Sequence, residues 1–115
     1  MSSINFYWKS TCTTCRKARS FLINAGVTMN ERDLAKKPFT KNEVIELLAG
    51  RNASSFVNPK STPYKALGLQ NKNLTEEEII DLLSQEVNLF KRPFIIKQDL
   101  VLFGFSEAEY KKLLD

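Results

Sequence analysis

The sequence contains no histidine. Imidazole is the usual base at neutral pH and the commonest metal ligand, so its absence excludes Cys-His proteases, ordinary zinc sites and any mechanism that needs such a base. Cysteine is nearly as scarce: two in 115 residues are too few for a disulfide scaffold in a domain large enough to have its own core. A reducing compartment and a chemical role for the thiols are expected instead. No run approaches the roughly 18 apolar residues that cross a bilayer. The start, MSSINFYWKS, lacks a basic segment leading into an apolar one. A cytoplasmic protein without membrane contact is the expectation.

Excess charge is also slight. Seventeen basic residues stand against 13 acidic ones, a net +4, and the lysines are spread from Lys36 to Lys112 with no aromatic residues interleaved for stacking. This pattern suits a solvated surface with some preference for anions, not direct nucleic-acid binding. Apolar residues at 43% and charged ones at 26% describe a globular chain, and its length suits one domain.

What is present is ordered punctuation. Ile4 to Trp8 reads as a buried strand, with Phe6, Trp8 and Phe21 as core candidates. From Cys15 the apolar spacing turns helical, through Ala18, Phe21, Leu22 and Ala25, until Gly26 stops it. A second strand is expected around residues 27–34. Three capping boxes then mark helix starts, at Thr40 with Glu43, Thr75 with Glu78 and Ser106 with Glu109. Gly50 should end the first of these helices, and the second should run on to Val87. Phe94 to Lys97 and Leu100 to Phe103, separated by Gln98 and Asp99, read as a tight hairpin. The order βαβ, a helical middle, then ββα implies an α/β domain over residues 1–115 with a small mixed sheet and a helical insertion of about residues 38–88, the arrangement of a thioredoxin-like fold.

Both cysteines lie in STCTTCRKAR, at the junction of the first strand and helix. A helix N-terminus lowers a thiol pKa, because its unpaired amides and macrodipole favour negative charge. Cys12 sits where that effect is largest. Cys15, one turn further in, can close a disulfide on Cys12, and Arg16 and Lys17 add positive potential that favours a thiolate and an anionic substrate. Half of a four-cysteine zinc site fails on ligand count unless two protomers share the metal. A redox C-x-x-C is therefore favoured over a chance pair. Pro93, after Arg92, reads either as a cis residue holding Arg92 on ordered backbone or as an ordinary strand-starting proline. NPKSTPY, residues 58–64, reads as a polar surface turn in which Lys60 offers a second cation.

CTTCRKAR after a strand, NPKSTPYKALGL in the middle, KRPFII before the hairpin and GFSEAEYKKLL at the end together resemble the arsenate reductase (ArsC) and Spx family. The resemblance implies a thioredoxin-like domain with a helical insertion, a catalytic cysteine at Cys12 and a cis proline at Pro93 facing it, with no bound cofactor. It matches Arg16 to the arginine closing the cysteine loop and Arg92 to the one before the proline. Asn58 and Gly104 stand at the places of two further arginines of the arsenate reductases, with Lys60 as a partial substitute for the first. Cys15 matches the C-x-x-C of Spx proteins. For the reductases the resemblance implies arsenate, or here a thiol or disulfide substrate, with electrons from thioredoxin or from glutathione and glutaredoxin. For Spx proteins it implies a redox-switched regulator that binds the RNA polymerase α-subunit.

Overall fold

The computed structural model describes residues 4–114. Its contacts divide the chain into two compact units, Met1–Lys37 with Arg92–Asp115, and Pro38–Lys91.

The first unit holds a four-stranded mixed sheet made of β1 (Asn5–Trp8), β2 (Asn30–Asp33), β3 (Phe94–Lys97) and β4 (Leu100–Phe103), in the order β2-β1-β3-β4. β1 pairs parallel with β2 and antiparallel with β3, and β3 pairs antiparallel with β4. Register places Phe6, Ile95 and Leu102 in one cross-strand row, and Tyr7, Phe94 and Phe103 in the next. Because side chains alternate between faces, the first row joins the core formed with Ala18 and Leu22 of helix α1 (Thr13–Asn24), Tyr110 and Leu113. Trp8 and Phe21 pack at its margin, so the three aromatic core candidates hold. In the second row Tyr7 stacks on Phe94 with ring centroids 4.6 Å apart.

Helix α1 begins at Thr13, two residues before the apolar periodicity becomes visible at Cys15, because Cys12 takes the extended N-cap conformation. It ends in a Schellman motif. Val27 N–H donates to Leu22 O and Gly26 N–H to Ile23 O, each at 3.0 Å, with Gly26 at φ 79. β2 is shorter than residues 27–34, since Val27 is spent on that turn and the ladder to β1 starts only at Asn30. The 94–97 and 100–103 hairpin forms as expected, with Gln98 in the left-handed region at φ 55.

The second unit contains α2 (Lys41–Leu48), α3 (Thr62–Ala66) and α4 (Glu76–Gln85) with three short 3₁₀ turns. Both capping boxes here are complete. Phe90 centres an aromatic cluster with Phe39 and Phe56, at centroid distances of 5.5 and 6.5 Å. The α4 N-terminus is tied in by Glu76, whose carboxylate accepts from Ala53 N–H at 3.0 Å.

Four expectations need correction. NPKSTPY is not simply a turn: Ser61 caps α3, with Pro63 in its first turn, a Ser-x-Pro start masked by the surrounding polar residues. Helix α4 stops at Gln85, and Val87 belongs to a separate 3₁₀ turn. Helix α2 turns left-handed already at Ala49, φ 47, before Gly50. The third box is half formed, Ser106 Oγ accepting from Glu109 N–H, and it opens only the four-residue α5 (Glu107–Tyr110), which runs into a 3₁₀ turn. No helix among the described residues is long and apolar enough to cross a membrane.

Candidate functional site

The end of β1, the loop 9–12 and the start of α1 place Cys12 at the helix N-cap. Cys12 N–H donates back to Lys9 O at 2.9 Å, closing the loop, and its carbonyl accepts from Arg16 N–H at 3.0 Å. Both cysteines are free thiols, Cys12 half-buried and Cys15 fully buried.

Their surroundings separate them. Burial works against a thiolate at Cys12, but it is outweighed by the amide and thiol of Cys15, the positive charge of Arg92 and the amide of Thr14, so the Cys12 pKa is lowered. Cys12 makes no formal side-chain capping bond. The amides of the first helical turn nonetheless act on its sulfur, as at any helix N-terminus. Burial pushes the Cys15 thiol up to about 12, reinforced by Cys12 and opposed by the Lys9 amide and by Arg92. The arrangement favours ionisation of Cys12 before Cys15, with the Cys12 thiolate accepting from a Cys15 S–H.

Arg16 lies across the loop, its guanidinium donating to Ser10 O at 3.3 Å and to Thr13 Oγ1 at 3.5 Å, and it remains exposed. Arg92 also acts on the pair, its Nε buried and its charge felt by both thiols. The Arg92–Pro93 bond is cis, which decides between the two readings of that proline. Cys12, Cys15, Arg16, Arg92 and Pro93 thus gather in one unit.

Asn58 and Lys60 belong to the second unit. Asn58 there has a structural task. Its Oδ1 accepts from Lys60 N–H at 3.0 Å, and its carbonyl accepts from Ser61 Oγ at 2.8 Å, setting up the α3 cap. Lys60 is exposed. The same unit has a cavity of about 540 Å³ walled by Val57, Tyr64, Leu69 and Leu89 with Lys72 and Lys91, and neither Asn58 nor Lys60 lines it.

Asp33 is a site neighbour that sequence reasoning missed. It pairs with Trp8 at the end of β2, and its Oδ1 accepts from Ala35 N–H at 3.0 Å. Burial raises its carboxyl pKa, yet the hydroxyl and amide of Ser10, the Ala35 amide and Lys36 bring it below the ordinary value. The one available signal was its position closing a weak strand beside the cysteine loop.

A profile of the ArsC family matches residues 7–113. The chain belongs to the ArsC family. Among curated relatives it is 33% identical over 114 residues to YusI of Bacillus subtilis, covering 96% of this chain and 97% of that protein. It is 30% identical over 113 residues to the global transcriptional regulator Spx 1 of Lactococcus lactis, covering 96% of this chain and 88% of that protein. Among solved structures, an ArsC-family-related protein from Bacteroides fragilis superposes with a TM-score of 0.81 at 33% identity, covering 96% of this chain and 97% of that one. The thioredoxin-like α/β fold of the family, with its mixed sheet, is therefore the fold of this chain.

Proposed function

We propose that the protein is a thiol oxidoreductase of the ArsC family, with Cys12 as nucleophile and Cys15 as resolving thiol. The observation that carries this reading is the placement of two free thiols one turn apart at the N-terminus of α1, Cys12 half-buried at the N-cap and Cys15 fully buried, which lowers the first pKa and raises the second. The thiol of lower pKa is the one that attacks as a thiolate, and a high, buried one stays protonated until its neighbour has reacted.

The Cys12 thiolate attacks one sulfur of a disulfide R–S–S–R′, forming Cys12–S–S–R and releasing R′–S⁻. The negative charge that helped hold the Cys15 proton has then gone from Cys12, while Arg92 and the Lys9 amide still favour a Cys15 thiolate. Once its proton passes to solvent or to the departing thiolate, Cys15 attacks the Cys12 sulfur, expels R–S⁻ and leaves the Cys12–Cys15 disulfide. Two electrons have moved from the pair to the substrate, and a thiol donor returns them, either the dithiol of thioredoxin or two glutathione molecules acting with glutaredoxin. With arsenate, Cys12 displaces water at As(V), Cys15 attack releases arsenite, and Arg16 and Arg92 bear the oxyanion charge.

The test is steady-state turnover of arsenate and of a small disulfide, coupled to either donor, with Cys12→Ser as control. Turnover lost in the mutant supports a reductase, and none with either substrate overturns it. The match to Spx 1 supports a second reading in which the same pair is a switch on a regulator. Pull-down of the carboxy-terminal domain of the RNA polymerase α-subunit in one redox state only, without turnover, is the result that favours it.

A further inference from the structure

The thiol chemistry leaves one buried polar group near the site unused, the hydroxyl of Tyr110. Its ring is 1% exposed and packs edge-on against Phe21 and Phe105, at centroid distances of 6.0 and 5.2 Å. Its Oη donates to Gly104 O at 2.6 Å. Gly104 N–H donates in turn to Pro93 O at 2.8 Å, carrying the β3–β4 ladder one step beyond the Phe94–Phe103 pair. The residue before Pro93 is Arg92, whose charge reaches both cysteines. Two hydrogen bonds thus lead from α5 to the backbone beside that cation. Gly104 suits the link, since its φ of +74 disfavours any L side chain even though space beside it is open.

We propose that Tyr110 is a positioning residue whose hydroxyl, through Gly104 and the Pro93 carbonyl, holds the Arg92 guanidinium against the Cys12–Cys15 pair. A four-residue helix is too short to stand by itself, so a fixed bond between it and the Gly104 turn must come from side chains, and a buried phenol left without its acceptor is costly. Coulomb attraction falls with distance, so a loosened Arg92 stabilises the Cys12 thiolate less. Burial, and then the nearby Cys15 thiol, disfavour ionisation of the Tyr110 hydroxyl, which keeps it a donor. Tyr110 has this role only if Cys12 is the reacting thiol, as proposed above.

Tyr110→Phe keeps the ring and removes the bond. The pH profile of Cys12 alkylation by iodoacetamide, read by peptide mass spectrometry, is expected to move to higher pH, with the rate at pH 7 falling about threefold to tenfold, a tenfold loss being roughly a one-unit shift. Phe105→Leu, which disturbs the same aromatic cluster, should lower the thermal midpoint and leave the profile in place. In an Arg92→Ala background, Tyr110→Phe should add nothing, because the two changes remove one interaction. An unchanged profile in Tyr110→Phe, or an undiminished shift without Arg92, overturns the proposal. If Tyr110→Phe does not fold, wild-type and Arg92→Ala proteins labelled with 3-fluorotyrosine are compared by fluorine NMR. A Tyr110 resonance that moves between them supports the coupling, and one that does not overturns it. Failure of Cys12 to react below the pH of a free thiol in the wild type is a different result, which sinks the proposed function and this role together.

Discussion

Cys12 and Cys15 are chemically identical groups that the first turn of one helix makes unlike. The difference is open to measurement. Alkylation of Cys12 should titrate below that of a free thiol, while Cys15 should resist labelling until far more alkaline pH, and Arg92→Ala should move Cys12 upward. Stability follows the same shifts. Cys15 is raised to about 12 in the folded protein, so between the free-thiol value and that pH the unfolded chain has lost a proton the folded one keeps. Stability contributed by this group is complete below the free-thiol pKa and falls as pH rises toward about 12. Cys15→Ala should therefore flatten the alkaline limb of a plot of urea midpoint against pH. Asp33 has the opposite sign. Its carboxyl is lowered, so its contribution is present above the ordinary carboxylate range and is lost as pH falls through the folded value. Asp33→Asn should shrink the drop in thermal midpoint between pH 7 and pH 3.

At the scale of elements, the helices are governed by their ends. Thr40 and Thr75 each accept from the amide three residues on at 3.2 Å, and Glu43 and Glu78 return the bond at 3.0 and 2.9 Å. Thr75→Ala should cost about 1 kcal/mol in urea unfolding, the usual value of an N-cap. The C-terminus of α2 offers the reverse experiment. Ala49 occupies the left-handed region at φ 47, where an L side chain costs roughly 1–2 kcal/mol. Ala49→Gly removes that strain at some entropic cost. A net gain of about 0.5 kcal/mol is expected, and a loss would show that the Ala49 methyl is held by packing instead. These boundary effects explain which elements were legible: capping boxes are local pairs, readable wherever Thr-x-x-Glu precedes an apolar run. The α3 start at Ser61 escaped notice because Asn58, Lys60 and Ser61 look like any polar loop until the Asn58 carbonyl is seen to fix Ser61.

For the molecule as a whole, the sheet unit is discontinuous in sequence, with β1 and β2 from one end of the chain and β3 and β4 from the other. β1 lies between β2 and β3, and Phe6 at its centre is fully buried. Phe6→Ala should destabilise by about 3–5 kcal/mol, a large share of the roughly 5–15 kcal/mol that holds such a domain. A fall of roughly 10–25 °C in the thermal midpoint is expected, and a fall of only a degree or two would mean that the core around Phe6 is not closed.

STCTTCRKAR already placed the two thiols, because a C-x-x-C at a strand-to-helix junction states its own geometry: three residues make about one helical turn, and the turn's amides face the first sulfur. The β1–α1 start, the hairpin and the capped helices were legible for the same reason, each being specified by neighbours a few residues apart. Tertiary structure decided what depends on residues far apart in the chain. It brought Arg92, 80 positions from Cys12 in sequence, to act on both thiols. It buried Cys15 and so divided two like thiols, and it set Asp33 beside the Ser10 loop and the Tyr110 hydroxyl on Gly104. Burial and Coulomb interactions depend on distance in space, and only the folded sheet sets those distances.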